Sequence, residues 1–124
     1  MILLDTSVLI EMFRKTDKTT TFFYRLSKET NDFSISIITH FEILRGSNNN
    51  QDGFWNKFFQ NINVIPFDKV SSNEAIKIYK ILKLQNKMVD LADLLIASTA
   101  IAHNFKLATL NIKHFEKIPN LSML

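Results

Sequence analysis

The chain contains no cysteine. Neither a disulfide framework nor a thiolate metal site is possible, and any bound metal must take oxygen or imidazole ligands. No apolar run is long enough to span a bilayer. Asp5 and Glu11 interrupt the apolar N-terminal stretch and no basic segment precedes it, so it does not read as a signal peptide. Internal repeats, low-complexity tracts and interdomain linkers are also missing. What is present is 124 residues, 46% of them hydrophobic, which predicts one domain over residues 1–124 with a core that needs no staples. The absence of cysteine is compatible with a reducing cytoplasm, the expected location. A net charge of +3 and a pI near 9.2 fit a polyanionic partner, a weak signal when used alone.

Continuous apolar stretches and helical spacings set an order of elements. Ile2 to Asp5 reads as a strand buried on both faces, with Asp5 at its C-terminal edge. Thr6 or Ser7 can cap a helix to about Phe13, and a second helical segment is expected from Lys18 to Lys28 with Phe22, Phe23 and Leu26 inside. Phe33 to Ile35 is a second strand; Ser36 caps the next helix, whose core stripe is read as Ile37, Phe41 and Leu44, and Gly46 ends it. Ser47 to Asp52 is expected to be loop, Phe54 to Gln60 a short helix, and Ile62 to Ile65 a strand closed by Pro66. Ser71-Ser72-Asn73-Glu74 has capping-box spacing and opens a helix to about Lys87. Asp90 can cap the following helix, with Leu94 to Ala102 packed inside, and Leu107 to Thr109 is the last strand. Strands alternating with helices predict an α/β three-layer fold, with a mostly parallel central sheet of four or five strands flanked by helices.

Three acids stand in apolar settings. Asp5 ends Ile2-Leu3-Leu4, Glu42 lies within Ile37 to Leu44, and Asp93 is the only charge between Leu91 and Ala102. A buried carboxylate is costly unless a cation or hydrogen-bond donors meet it. Three that converge would repel by about 4 kcal/mol per pair at roughly 4 Å and an effective dielectric near 20, so the cluster must take up protons or a cation. Oxygen-only ligands suit magnesium or manganese and disfavour zinc. In open α/β sheets such groups gather beyond the C-terminal strand ends, where Asp5 and Asn111 are expected. Each acid also has a purely structural explanation: Asp5 as the start of a turn, Glu42 paired with Arg45, Asp93 as a first-turn acid that the helix dipole keeps ionised. His40, His103 and His114 have no metal-binding spacing and read as surface or core residues. Ser7, Ser36 and Thr109 read as caps and hydrogen-bonding partners, and the eleven phenylalanines as packing.

Four segments in order resemble the PIN-domain ribonucleases, most closely the VapC-type toxins of toxin-antitoxin pairs. They are Met1 to Ile10 around Asp5, Ser36 to Gly46 around Glu42, Asp93 to Ala100, and Leu107 to Phe115 around Asn111. The resemblance covers nearly the whole chain and implies a PIN-like fold and a magnesium- or manganese-dependent endoribonuclease. In it Asp5, Glu42 and Asp93 hold the metal, and water activated by the metal hydrolyses the RNA phosphodiester to leave a 5′-phosphate and a 3′-hydroxyl. Asn111 stands where many relatives have aspartate, which removes one charge from a second metal site. Thr6, Asp90 and Thr109 take auxiliary roles on this reading. The resemblance further implies structured RNA such as tRNA or rRNA as substrate, a homodimer, and a VapB-type antitoxin whose C-terminal segment covers a groove and presents a basic side chain to the acids.

Arg14, Lys15 and Arg45 are the first candidates for contact with RNA, with Lys18 and Arg25 beside them. Two other functions compete. A haloacid dehalogenase-type phosphotransferase also uses an aspartate after its first strand, but normally carries a second carboxylate two residues on, where this chain has Ser7. A catalytically silent, receiver-like interaction module would need a phosphoacceptor after a middle strand, for which Asp52 is a poor candidate.

Overall fold

A computed structural model describes residues 1–124. Its centre is a four-stranded, all-parallel sheet of β1 (Ile2–Leu4), β2 (Phe33–Ser36), β3 (Asn63–Ile65) and β4 (Lys106–Ala108), in the order β3-β2-β1-β4. The lower of the two expected strand counts is correct. Helices α1 (Thr6–Arg14), α2 (Phe22–Ser27), α3 (Ile37–Gly46), α4 (Asn49–Gln60), α5 (Lys69–Leu84), α6 (Leu91–Ala102) and α7 (Ile112–Phe115) complete the chain. None of them is long and apolar enough to cross a membrane.

Leu3 and Leu4 are fully buried and, because a strand alternates its faces, they enter two different cores. Leu3 packs with Leu107, Ile78, Leu94, Ile96 and Phe115 beneath α5 and α6. Leu4 packs with Val8, Ile35, Ile43, Trp55 and Ala108 beneath α1, α3 and α4. This is why the sequence shows continuous apolar strands: helices cover both faces. The buried hydroxyls of α6 are satisfied within the helix, Ser98 donating to the Leu94 carbonyl at 2.7 Å and Thr99 to that of Leu95 at 2.9 Å.

Several boundaries differ from the sequence reading. The expected Lys18–Lys28 helix is a 3-10 turn at Lys18–Thr20 followed by α2, because Thr21 caps α2 by accepting from the Tyr24 N–H. Ser47 to Asp52 is not loop: Asn48 and Gln51 form a reciprocal capping box that starts α4 there. Helix α5 opens at Asp68, whose carboxylate accepts from the Ser71 N–H, and not at the proposed Ser71–Glu74 box. It closes at Leu84, because Asn86 takes a φ of 54° and completes a Schellman motif, with Lys87 N–H donating to the Leu82 carbonyl at 2.9 Å. Asn104, at φ 58°, ends α6 in the same way.

The core stripe of α3 is also rotated from the expected one. Thr39 and Ile43 are buried, whereas Phe41 is 61% exposed and Ile37 is exposed with it. Thr39, His40, Glu42 and Arg45 are spread around this helix, so the sequence offers no single polar face from which to read its orientation. Beyond α7, Leu107 donates to the Ser122 carbonyl at 2.8 Å and Leu124 donates back to the Leu107 carbonyl at 2.9 Å, so residues 122–124 line the outer side of β4.

Candidate active site

β1 is the point at which the sheet reverses direction: the chain first adds β2 and β3 on one side, then returns to add β4 on the other. Helices leaving the adjacent C-terminal ends of β1 and β4 diverge and leave a crevice, the usual location of a site in such sheets. Here it is a cleft of about 660 Å³ lined by Asp5, Thr6, Ser7, Glu11, Arg14, Glu42, Asp90, Asp93, Asn111 and His114, with Ile10 and Leu110.

Asp5 is 3% exposed. Its N–H extends the β1–β4 ladder to the Ala108 carbonyl at 2.9 Å, and its carbonyl accepts from Val8 to open α1. It occupies the N-cap position of α1 without a side-chain cap bond, so its carboxylate is left to other donors. These are Ser7 at 2.7 Å and Thr109 at 2.8 Å, and both hydroxyls donate to Oδ2. Each hydroxyl is oriented in turn, Ser7 Oγ accepting from the Leu110 N–H and Thr109 Oγ1 from the Asn111 N–H.

The other two acids are held in the same way. Thr6 donates to Oε1 of Glu42 at 2.7 Å and lies 3.0 Å from the Thr39 hydroxyl. Asp93 Oδ2 lies 3.1 Å from Nδ1 of His114. All three carboxylates therefore carry their side-chain hydrogen bonds on one oxygen only and keep the second oxygen free. The structural explanation for Glu42 fails, since the Arg45 guanidinium lies over the Phe41 ring at 5.6 Å. Asp93 lies in the first turn of α6, but its carboxyl is not held at the ordinary carboxylate value. Burial, then the charge of Asp5, push the Asp93 carboxyl up to about 6, with Asp90 adding to this and His114 opposing it.

The donor set fits a hard, hydrated cation. Asp5, the most buried of the acids, has no cationic partner, the ligands are oxygens, and each acid is pre-oriented through its other oxygen. No three of the acidic and histidine side chains close into a ready-made cage. A magnesium-type ion, which retains several waters and takes one or two direct carboxylates, does not require one.

The remaining expected residues divide. Asn111 borders the cleft with its side chain free of hydrogen bonds, Asp90 is exposed at its rim, and Thr109 is buried beneath it. Asp90 stands at the N-cap position of α6 but forms no side-chain cap. Of the basic candidates only Arg14 lines the cleft. Lys15 pairs with Glu11 at 3.3 Å, and Arg25 lies over Phe22 at 5.4 Å. Lys18 donates to the carbonyls of Met12, Phe13 and Lys15, which makes it the C-terminal cap of α1. Glu11 holds the Phe22 N–H at 2.7 Å, and that bond lowers its pKa.

Sequence reasoning misses one site residue, His114, for want of a histidine pattern. Ser7 is a hydrogen-bonding partner as expected, and its position two residues after Asp5 lets a short side chain reach back to the carboxylate. Ser7 also occupies the position at which a dehalogenase-type enzyme would need its second acid. Asp52, the receiver candidate, bonds Ser47 at 2.5 Å and does not line the cleft.

Comparison with known proteins agrees with this geometry. The PIN domain family matches residues 2–121. Ribonuclease VapC1 of Methanocaldococcus jannaschii is 38% identical over 123 residues, covering 98% of this chain and 84% of that protein. The structure of VapBC2 from Rickettsia felis, bound to a DNA fragment from its promoter, superposes with a TM-score of 0.84 at 26% identity, covering 100% of this chain and 98% of that one. VapBC-1 from nontypeable Haemophilus influenzae gives a TM-score of 0.84 at 26% identity, with 100% and 97% covered.

Proposed function

This chain belongs to the PIN-domain family, and from that premise we propose that it is an endoribonuclease dependent on Mg2+ or Mn2+, the VapC-type toxin of a cytoplasmic toxin-antitoxin pair. The observation that carries the reading is the arrangement of Asp5, Glu42 and Asp93 around one cleft, each with one oxygen fixed by a neighbour and the other free. Asp5, Glu42 and Asp93 would hold the ion, which when bound would supply Lewis acidity and positive charge at a phosphodiester.

The chain's own side chains prepare that chemistry. Ser7 and Thr109 fix the Asp5 carboxylate through Oδ2, Thr6 sets the rotation of the Glu42 carboxylate, and His114 sets that of Asp93. Asn111 lacks a charge, but its amide oxygen can accept a hydrogen bond from water and orient it toward the phosphorus. Arg14, exposed on the rim, can pair with a backbone phosphate. The substrate class proposed is structured RNA such as tRNA or rRNA, and the active form a homodimer.

An antitoxin of VapB type fits a second feature. A depression of about 200 Å³ between α1, α3 and α4 is floored by Phe13, Ile43 and Trp55 and opens into the acidic cleft through Ile10, Arg14 and Glu42. An amphipathic segment lying there would bring a basic side chain to the acids. The test is RNA cleavage with and without chelator, in wild type and Asp5→Ala, together with growth after expression. Cleavage requiring Mg2+ or Mn2+ and abolished by Asp5→Ala is expected, and Asp5→Ala should still retain the antitoxin. Activity that survives chelation ends the metal reading, and equal growth effects of both proteins end the toxin reading.

A further inference from the structure

The acidic cleft does not end at Asp93. A second depression of about 250 Å³ shares Asp90, Asp93 and His114 with it and is lined beyond them by Lys113 and Lys117. A third, of about 360 Å³, shares Met88 and Val89 with the second and is bordered by Tyr79, Lys83 and Lys87. Through these shared lining residues the three adjoin in order, a trench that runs from the acids, past α7, to the C-terminal end of α5. Its charge changes sign along the way.

The four lysines of the trench are unpaired. The lysine ion pairs of this chain are Lys15–Glu11 and Lys77–Glu74, and the lysine committed to carbonyls is Lys18. Free cations beside a carboxylate cluster that leave its acids unneutralised suit an anion that passes both. Tyr79 adds a second kind of contact: it is 55% exposed and lies one helical turn before Lys83, so its ring and the lysine border the same depression. Lysines along a groove with an aromatic face among them are the elements from which single-stranded nucleic acid sites are built. Of the cations expected from the sequence to do this work, Arg14 lines the acidic cleft, whereas Lys15, Lys18, Arg25 and Arg45 are engaged by Glu11, by carbonyls or by their own phenylalanines.

We propose that this trench is the track for the single-stranded RNA flanking the scissile phosphodiester, with Lys113 and Lys117 on the first phosphates beyond the acids, Lys83 and Lys87 on the next, and a base stacked on Tyr79. The assignment rests on the ribonuclease reading and says which side of the acids the substrate leaves by. It also accounts for how a cleft of carboxylates retains a polyanion: the binding charge lies beside the acids and not among them.

The test is fluorescence anisotropy of a labelled single-stranded oligoribonucleotide of mixed sequence, in chelator so that it stays intact, against a salt series. Lys113→Gln with Lys117→Gln, and Lys83→Gln with Lys87→Gln, should each weaken binding about tenfold and make the log–log salt slope shallower by about 0.7 per lysine. Tyr79→Ala should weaken binding about tenfold with the salt slope unchanged. Lys57→Gln, on the exposed side of α4, should change neither. Unchanged affinity and slope in both lysine pairs overturn the track, and if those variants instead lose self-association in sedimentation, the face belongs to a second copy. Cleavage of total tRNA and rRNA, the proposed substrate class, in Mg2+ or Mn2+ is scored separately. Wild type that binds through the lysines but never cuts defeats the ribonuclease reading and keeps the track; wild type that cuts while the lysine variants bind normally defeats the track alone.

Discussion

Thr6 donates to Glu42 at 2.7 Å across 36 positions of sequence, so the residue that follows the first acid orients the second. With Ser7 turning back onto Asp5, the tripeptide Asp5-Thr6-Ser7 supplies one carboxylate and fixes two. Thr6→Val should therefore behave as a Glu42 variant. We expect metal affinity, read by Mn2+ titration, and cleavage to fall together while thermal stability changes little.

Asp5→Ala, Glu42→Gln and Asp93→Asn should each nearly abolish cleavage with the circular dichroism spectrum unchanged. Full activity in any one of them would remove that residue from the metal site.

Asp93 has a distinct pH signature. Its carboxyl titrates near 3.8 in the unfolded chain and about 6 in the fold, so the folded state holds the proton more tightly between those values. Its contribution to stability is therefore most favourable below about pH 4, is lost as pH rises toward 6, and is flat above. In chelator, Asp93→Asn should melt higher than wild type at pH 7.5, and the difference should shrink toward pH 4. Cation binding must displace the same proton, so Mg2+ affinity should fall about tenfold per pH unit below 6. Affinity that is flat between pH 5 and 7 would show that Asp93 is not a ligand.

Thr109→Val keeps the volume and removes one of two donors to a carboxylate that is 3% exposed. A hydrogen bond to a charged group contributes about 1.5–3 kcal/mol, and denaturant unfolding at pH 7 should show a loss of that order. Ser7→Ala should lose less, because Ser7 stands nearer the cleft, and the double variant should lose more than the sum because Asp5 is then unpaired. A neutral Thr109→Val would mean that water replaces the hydroxyl.

Asn111 and Lys18 give opposite controls. Asn111→Asp should strengthen metal binding and leave or raise activity, whereas Asn111→Ala should lower activity less than Asp5→Ala does; a metal titration of the three checks it. Lys18→Met should cost about 0.3–1 kcal/mol of stability by uncapping α1, and leave RNA affinity untouched.

The strands, most helices and the three acids were legible because each is written locally: a both-faces-apolar strand, or a lone carboxylate in an apolar run. The orientation of α3 was not, since Ile37, Phe41 and Ile43 are equivalent to a hydropathy pattern and only the position of β2 decides which is covered. Nor was the use of the cations. Whether Lys18 caps a helix or meets a phosphate depends on three carbonyls brought to it by a turn, and Lys113 and Lys117 matter only because α7 and α5 border one trench. The partnership of His114 with Asp93 spans 21 residues and two helices, and no spacing rule encodes it.

The pairing of residues 122–124 along β4 has a consequence for assembly. A parallel sheet with a bare flank is a template on which another chain can polymerise, and here one flank is already spent on the protein's own backbone at Leu107. Strand addition to the sheet is left to the outer side of β3, where Asn63 is exposed and polar. A partner that adds a strand is then limited to the β3 edge, and a deletion of Ser122 to Leu124 should reveal itself first as concentration-dependent aggregation.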